Sequence, residues 1–132
     1  MIPFLSGAGF TALFVVAALR FEPARRQALF AVLLASAAAV YVGAALAADS
    51  LAPLALQGVA YVAFTAAALI GLRQAWLLGS GWLLHAMWDL VYQFGALPTA
   101  LPGWYREGCM GIDLVWGAFL LLTVRSDGQL DV

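Results

Sequence analysis

The sequence predicts an all-α integral membrane protein: a bundle of five transmembrane helices with the N-terminus outside and the C-terminus cytoplasmic. Three observations predict it. Of 132 residues, 65% are hydrophobic and 10% charged, with a mean hydropathy of +0.97, more apolar surface than a soluble domain of this length needs. The apolar residues gather into five segments, each near the roughly twenty residues that cross a bilayer. The arginines alternate between segment ends. Arg20, Arg25 and Arg26 fall between the first and second, Arg73 between the third and fourth, and Arg125 after the fifth, leaving only Arg106 on the other side. That is a positive-inside pattern, and it predicts a multi-pass protein of the cytoplasmic (inner) membrane.

The first segment spans about 3–19, with Pro3 at its start, where a missing N–H costs nothing. Its arginines follow the apolar run instead of preceding it, the reverse of a signal peptide, so it reads as a retained helix. The second spans about 27–48. An Asp49-Ser50 turn then caps a third at about 51–72, which carries Pro53 in its first turn. The fourth spans about 74–95. The stretch ALPTALPGWYRE breaks helix with its prolines and glycine and sets Trp104 and Tyr105 at a membrane interface. The fifth spans about 107–124. Residues 1–132 thus form a single transmembrane domain without internal repeat. One cysteine excludes an internal disulfide and a CxxC motif. No basic cluster suggests nucleic acid as a partner.

Four side chains carry chemistry in this apolar setting. His85 and Asp89 are four residues apart on the fourth helix, and Cys109 and Asp113 repeat the spacing on the fifth. Each pair shares one helix face. Ionisable groups in hydrocarbon are costly and mark functional sites by default. Because the two helices run in opposite directions, His85 falls level with Asp113 and Asp89 level with Cys109. Trp82, His85, Asp89 and Tyr92 form one stripe at 3-4-3 spacing, and Trp116 continues it from Asp113. Tyr41, Gln57, Tyr61, Tyr92 and Gln93 all fall in outer halves of their helices, which implies a polar pocket open toward the outer leaflet and closed toward the cytoplasm. Gly79, Gly81, Gly108, Gly111 and Gly117 permit close helix approach.

A carboxylate beside an imidazole fixes its tautomer, and the pair can give a proton at one atom and take one at another. His85, Asp89 and Asp113 are therefore the candidate catalytic residues. Trp82, Trp88, Tyr92, Tyr61, Gln57, Trp116, Tyr41 and Glu107 are the candidate substrate-binding residues, the ring faces suiting cationic character. The expected function is an intramembrane enzyme that isomerises, cyclises or opens an epoxide on an isoprenoid, sterol-like or polyene substrate, with no cofactor. One alternative is a non-enzymatic membrane subunit or a ligand- or pigment-binding assembly protein, its cluster a hydrogen-bonded clasp. Another is a metal-dependent membrane enzyme with His85, Asp89, Cys109 and Asp113 as ligands. The inner halves lack ionisable residues, which argues against a proton-coupled carrier. Membrane lipid and a hydrophobic small molecule are the expected partners, and so small a bundle is compatible with a homo-oligomer.

The run HAMWD, then Pro102, Trp104 and Tyr105, then GCMGID resembles an uncharacterised family of small bacterial multi-pass membrane proteins. That family carries His-Ala-x-Trp-Asp, a Pro-x-Trp loop and Gly-Cys-x-x-x-Asp. The resemblance covers the last two helices and supports the choice of residues, not a reaction. GWLLHAMWDLVY is also similar, more loosely, to the His-x-x-x-acid helix of the sterol isomerase (EXPERA) superfamily, with Asp where that superfamily has Glu. This second resemblance implies a proton-handling role for His85 and Asp89 in double-bond migration, with Trp82, Trp88 and Tyr92 lining the pocket.

Overall fold

The computed structural model describes residues 1–47, 51–95 and 99–127. Those residues form five α-helices and no strand: α1 (Ile2–Ala18), α2 (Pro23–Ala47), α3 (Leu51–Gly71), α4 (Ala75–Gln93) and α5 (Gly103–Asp127). The Asp49-Ser50 cap expected before α3 lies outside the described residues. Among the described residues, α2 and α3 are long and apolar enough to cross a membrane, and α1 is apolar but shorter, at 17 residues.

Two helices start earlier than the sequence suggests, and both begin beside a proline. α2 starts at Pro23 and takes in Arg25 and Arg26; its first turn closes with Arg26 N donating to the Glu22 carbonyl at 2.9 Å. α5 starts at Gly103. The Pro102 carbonyl accepts from Tyr105 N at 3.1 Å, so Trp104, Tyr105 and Arg106 are helical and not part of the linker. Proline disrupts the interior of a helix, but at its first turn it offers a fixed φ and loses no hydrogen bond. α4 closes on Gly95, whose φ of 72° is the left-handed conformation that glycine adopts without strain at a helix end.

α5 lies between α1 and α4. α4 packs in turn on α3 and, less extensively, on α2, while α2 and α3 pair with each other. The core is built from Phe30, Leu34, Leu78, Trp82, Trp116 and Leu120. Outside it, large apolar side chains such as Phe10, Leu13, Val32, Val59, Val62 and Leu84 are exposed, whereas Thr11, Gln57, His85, Asp89 and Asp113 are buried. The arginine-bearing turns gather at one end. There Gln27 Nε2 donates to the Gly71 carbonyl at 2.5 Å, and the Arg26 guanidinium lies 5.6 Å from the centroid of the Phe119 ring. At the other end Arg106 Nη1 donates to the Tyr92 carbonyl at 2.6 Å, and Glu107 pairs with the Met1 amino group at 2.9 Å.

Glycine sets the spacing of α5 from its neighbours. A Cβ on Gly7 would run into the Gly108 carbonyl, and one on Gly111 into the Phe4 carbonyl, so α1 and α5 meet backbone to backbone. On the other flank, a Cβ on Gly79 would approach the Gly117 carbonyl at 3.2 Å, and one on Gly117 the Gly79 carbonyl at 3.0 Å. Backbone cannot move aside as a side chain can. Gly111→Ala is therefore expected to destabilise the fold by about 1–3 kcal/mol, the usual cost of overpacking. A lowered thermal midpoint in detergent checks this, and an unchanged midpoint would contradict the α1–α5 contact.

Candidate functional site

α4 supplies the spine of the site. Its inward stripe is Leu78, Trp82, His85, Asp89 and Tyr92, the 3-4 spacing that keeps residues on one helical face. Each polar member of this stripe is met by a different helix. His85 Nδ1 lies 2.7 Å from Asp113 Oδ2 on α5, with both side chains only 2% exposed. Tyr41 on α2 donates its hydroxyl to Asp89 Oδ1 at 2.5 Å. Gln57 on α3 donates through Nε2 to the Tyr92 hydroxyl and accepts from Trp88 Nε1 at 3.3 Å.

The level predicted for His85 and Asp113 is the one observed. His85, Asp89 and Asp113 each offer a ligand-type atom, and the three atoms lie within 4.8 Å of one another. Cys109, half-buried one turn away on α5, is not part of that group. The surroundings are aromatic. The His85 ring is met edge-on by Phe64 at 5.0 Å and Tyr41 at 6.0 Å, and Trp82 packs on Trp116 at 4.6 Å in a T-shaped arrangement. Phe14 and Phe30 enclose the other side of Trp116.

The sequence implies a pocket open at one end; the structure has that end filled. Tyr92, one turn beyond Asp89, is buried and held by Gln57. Beyond it Gln93 Nε2 donates to Glu107 Oε1 at 3.1 Å, and Arg106 engages the Tyr92 carbonyl. Large aromatic side chains pack directly on the polar groups and close the space that the sequence leaves as a mouth. Tyr41 is accordingly a direct partner of Asp89 and not simply a wall, and Glu107 lies in the polar cap.

Tyr61 does not join the cluster: it is exposed. It stands one turn from Gln57, rotated by about 40° around the helix. The buried face of α3 instead runs through Gln57, Phe64, Ala68 and Gly71. Phe64, the ring nearest His85 among the aromatic contacts, is the residue that sequence reasoning missed; its seven-residue spacing from Gln57 was the available signal. Thr11 is also buried but satisfies itself, donating to the Gly7 carbonyl at 2.8 Å.

Four buried polar atoms of the cluster have no hydrogen-bond partner among the described residues: His85 Nε2, Asp89 Oδ2, Trp82 Nε1 and Trp116 Nε1. Buried polar groups are nearly always paired, so each exception calls for an explanation. Two of the four are donors, and two can accept or ligate.

The profile of a family of unknown function, DUF6010, matches residues 2–126. The chain belongs to the DUF6010 family. No curated protein and no solved structure matches it. The family match reaches beyond the HAMWD and GCMGID motifs through α1, α2 and α3, where the sequence by itself offers only hydropathy. In this DUF6010 member, Tyr41 and Gln57 on those earlier helices hydrogen-bond to Asp89 and Tyr92 on α4, the helix that carries the HAMWD motif.

Proposed function

We propose that this chain is a five-span membrane enzyme of the inner membrane that performs acid–base chemistry on a hydrophobic substrate. The observation that carries the proposal is the pair of unpartnered buried atoms, His85 Nε2 and Asp89 Oδ2. The inverted polarity of the bundle supports immersion in lipid. A surface of exposed Leu, Val and Phe around an interior that buries Gln57, His85, Asp89 and Asp113 among apolar side chains would be an association hazard in water. In hydrocarbon the same arrangement keeps the ionisable groups in the bundle interior, away from lipid. Arginine-bearing turns at one end support the orientation with the N-terminus outside.

In this reading Asp113 holds the imidazole through Nδ1–H, leaving Nε2 as the base. Asp89, held by Tyr41 through Oδ1, presents Oδ2 as the acid. Asp89 gives a proton to one carbon or oxygen of the substrate and His85 removes one from another; the proton then returns from His85 to Asp89, so no net charge accumulates. Trp82, Trp88, Trp116 and Tyr92 stabilise cationic character through their ring faces. An isoprenoid, sterol-like or polyene substrate undergoing isomerisation, cyclisation or epoxide opening fits these parts, and the likeness to the His-x-x-x-acid helix points the same way. With the cluster closed, substrate enters by parting helices from the lipid side.

Native mass spectrometry of the gently solubilised protein tests this. A co-purifying isoprenoid or polyene is expected, lost in His85→Ala and Asp89→Asn variants that remain folded. Full turnover of such a substrate by both variants would end the proposal. A second reading is favoured by a specific observation: the side-chain hydrogen bonds of the cluster tie α2, α3 and α5 to α4. The same groups would then be a structural clasp in a non-enzymatic membrane subunit, and His85→Ala would dissociate or unfold the protein instead of silencing it.

A further inference from the structure

We infer that the cluster is a single-cation site in which His85 Nε2 and Asp89 Oδ2 are the protein ligands, oriented by Asp113 and Tyr41. The inference rests on the reading of the cluster as a reaction centre on a hydrophobic substrate, and gives His85 Nε2 and Asp89 Oδ2 the role of ligands in place of base and acid. Three features carry it. The first is convergence: His85, Asp89 and Asp113 bring ligand-type atoms from two helices to within 4.8 Å of one another, fully buried. The second is the way their other atoms are engaged. His85 Nδ1 is taken by Asp113 at 2.7 Å, and Asp89 Oδ1 by the Tyr41 hydroxyl at 2.5 Å. A carboxylate behind the imidazole is the arrangement that fixes a ligating histidine, and a hydrogen-bonded carboxylate ligand is its usual companion. The third is that the two atoms left over on these ligand-type residues, His85 Nε2 and Asp89 Oδ2, have no hydrogen-bond partner among the described residues.

The donor set defines the class of ion. Imidazole nitrogen with carboxylate oxygen suits a first-row divalent cation such as zinc, iron(II) or manganese(II). Cys109 lies outside the group, so no thiolate biases the site toward copper(I). Two protein ligands leave coordination positions open, as reactive sites require and purely structural sites do not. A cation there would supply Lewis acidity toward a substrate oxygen, and His85 would act as ligand in place of base.

The test uses the full chain in detergent, stripped with chelator, with no substrate present. Zinc and, separately, cobalt(II) are titrated and the bound metal is measured by elemental analysis. One ion per chain is expected. His85→Gln and Asp89→Asn should lose it. Asp113→Asn should keep the stoichiometry but bind about 10–100-fold more weakly, the usual effect of removing an outer partner. No bound metal in the wild type, or unchanged binding by His85→Gln and Asp89→Asn, overturns the inference. If those variants do not fold, X-ray absorption of the cobalt-loaded wild type decides: one imidazole nitrogen in an otherwise oxygen shell supports the site, and none overturns it. A chain that takes no cation yet loses its hydrophobe on Asp89→Asn removes the cation and leaves the acid–base enzyme. A chain that binds zinc but holds and converts no hydrophobe does the reverse.

Discussion

If the proposed acid–base function holds, Asp89→Asn is expected to lower turnover of the hydrophobic substrate by about 10²–10⁴-fold, the range supplied by a positioned general acid, with little loss of stability. The two effects separate because the two oxygens of Asp89 have different surroundings. Oδ1 accepts from Tyr41, and the amide oxygen of asparagine can accept that same hydrogen bond at nearly the same size. Oδ2 has no hydrogen-bond partner among the described residues, so the amide nitrogen that replaces it breaks none of their hydrogen bonds while removing the proposed acid. Tyr41→Phe makes the opposite change. It leaves Oδ1 buried and unsatisfied, a cost of about 1–3 kcal/mol. Turnover and thermal midpoint measured on both variants check the assignment. Asparagine activity within a few-fold of wild type would remove Asp89 from the chemistry.

The largest stability effect is expected at Asp113→Ala. Asp113 and His85 form a pair 2% exposed on both sides and 2.7 Å apart. Removing one partner of such a buried pair costs about 3–5 kcal/mol, chiefly because the other is left uncompensated. Replacing both with leucine should recover most of that loss, since a well-packed apolar pair is often as stable as the buried polar pair it replaces. A thermodynamic cycle of Asp113→Leu, His85→Leu and the double variant measures the coupling. Additive losses would mean that the pair does not hold α4 to α5. Recovery of stability in the double variant without recovery of function would show that the polar pair is kept for chemistry and not for folding.

The helical class, the helix count and the central pair were legible in the sequence. His85 and Asp113 could be placed opposite one another because two antiparallel helices, each with a 4-residue polar spacing, have few alternative registers. The partners of Asp89 and Tyr92 were harder to read. Tyr41 and Gln57 lie on α2 and α3, where a single tyrosine or glutamine in an apolar run gives no rotational reference. The rotation of α3 decided between Tyr61 and Phe64, and only packing fixes a rotation of about 40°. The closed mouth was illegible for a related reason: hydropathy reports depth along a helix but not how far an aromatic ring reaches across the bundle. α2 and α5 start earlier than hydropathy suggests because Pro23 and Pro102 each sit at a first turn, and the prolines of the ALPTALPGWYRE stretch read in the sequence as breaks.

The glycine-lined seam between α1 and α5 has a consequence for how the chain is made. α1 leaves the ribosome first, yet α5, the helix it docks on most closely, follows the other four in the sequence. Residues 19–102 must be synthesised between the two helices, and until then α1 is without its main partner. Contacts of such long sequence separation form late because loop closure must precede them. Asp113 arrives on the same late helix, so the polar centre of α4 is without that carboxylate until the seam can close. The α1–α5 seam and the His85–Asp113 pair thus both await α5, the last helix in the sequence.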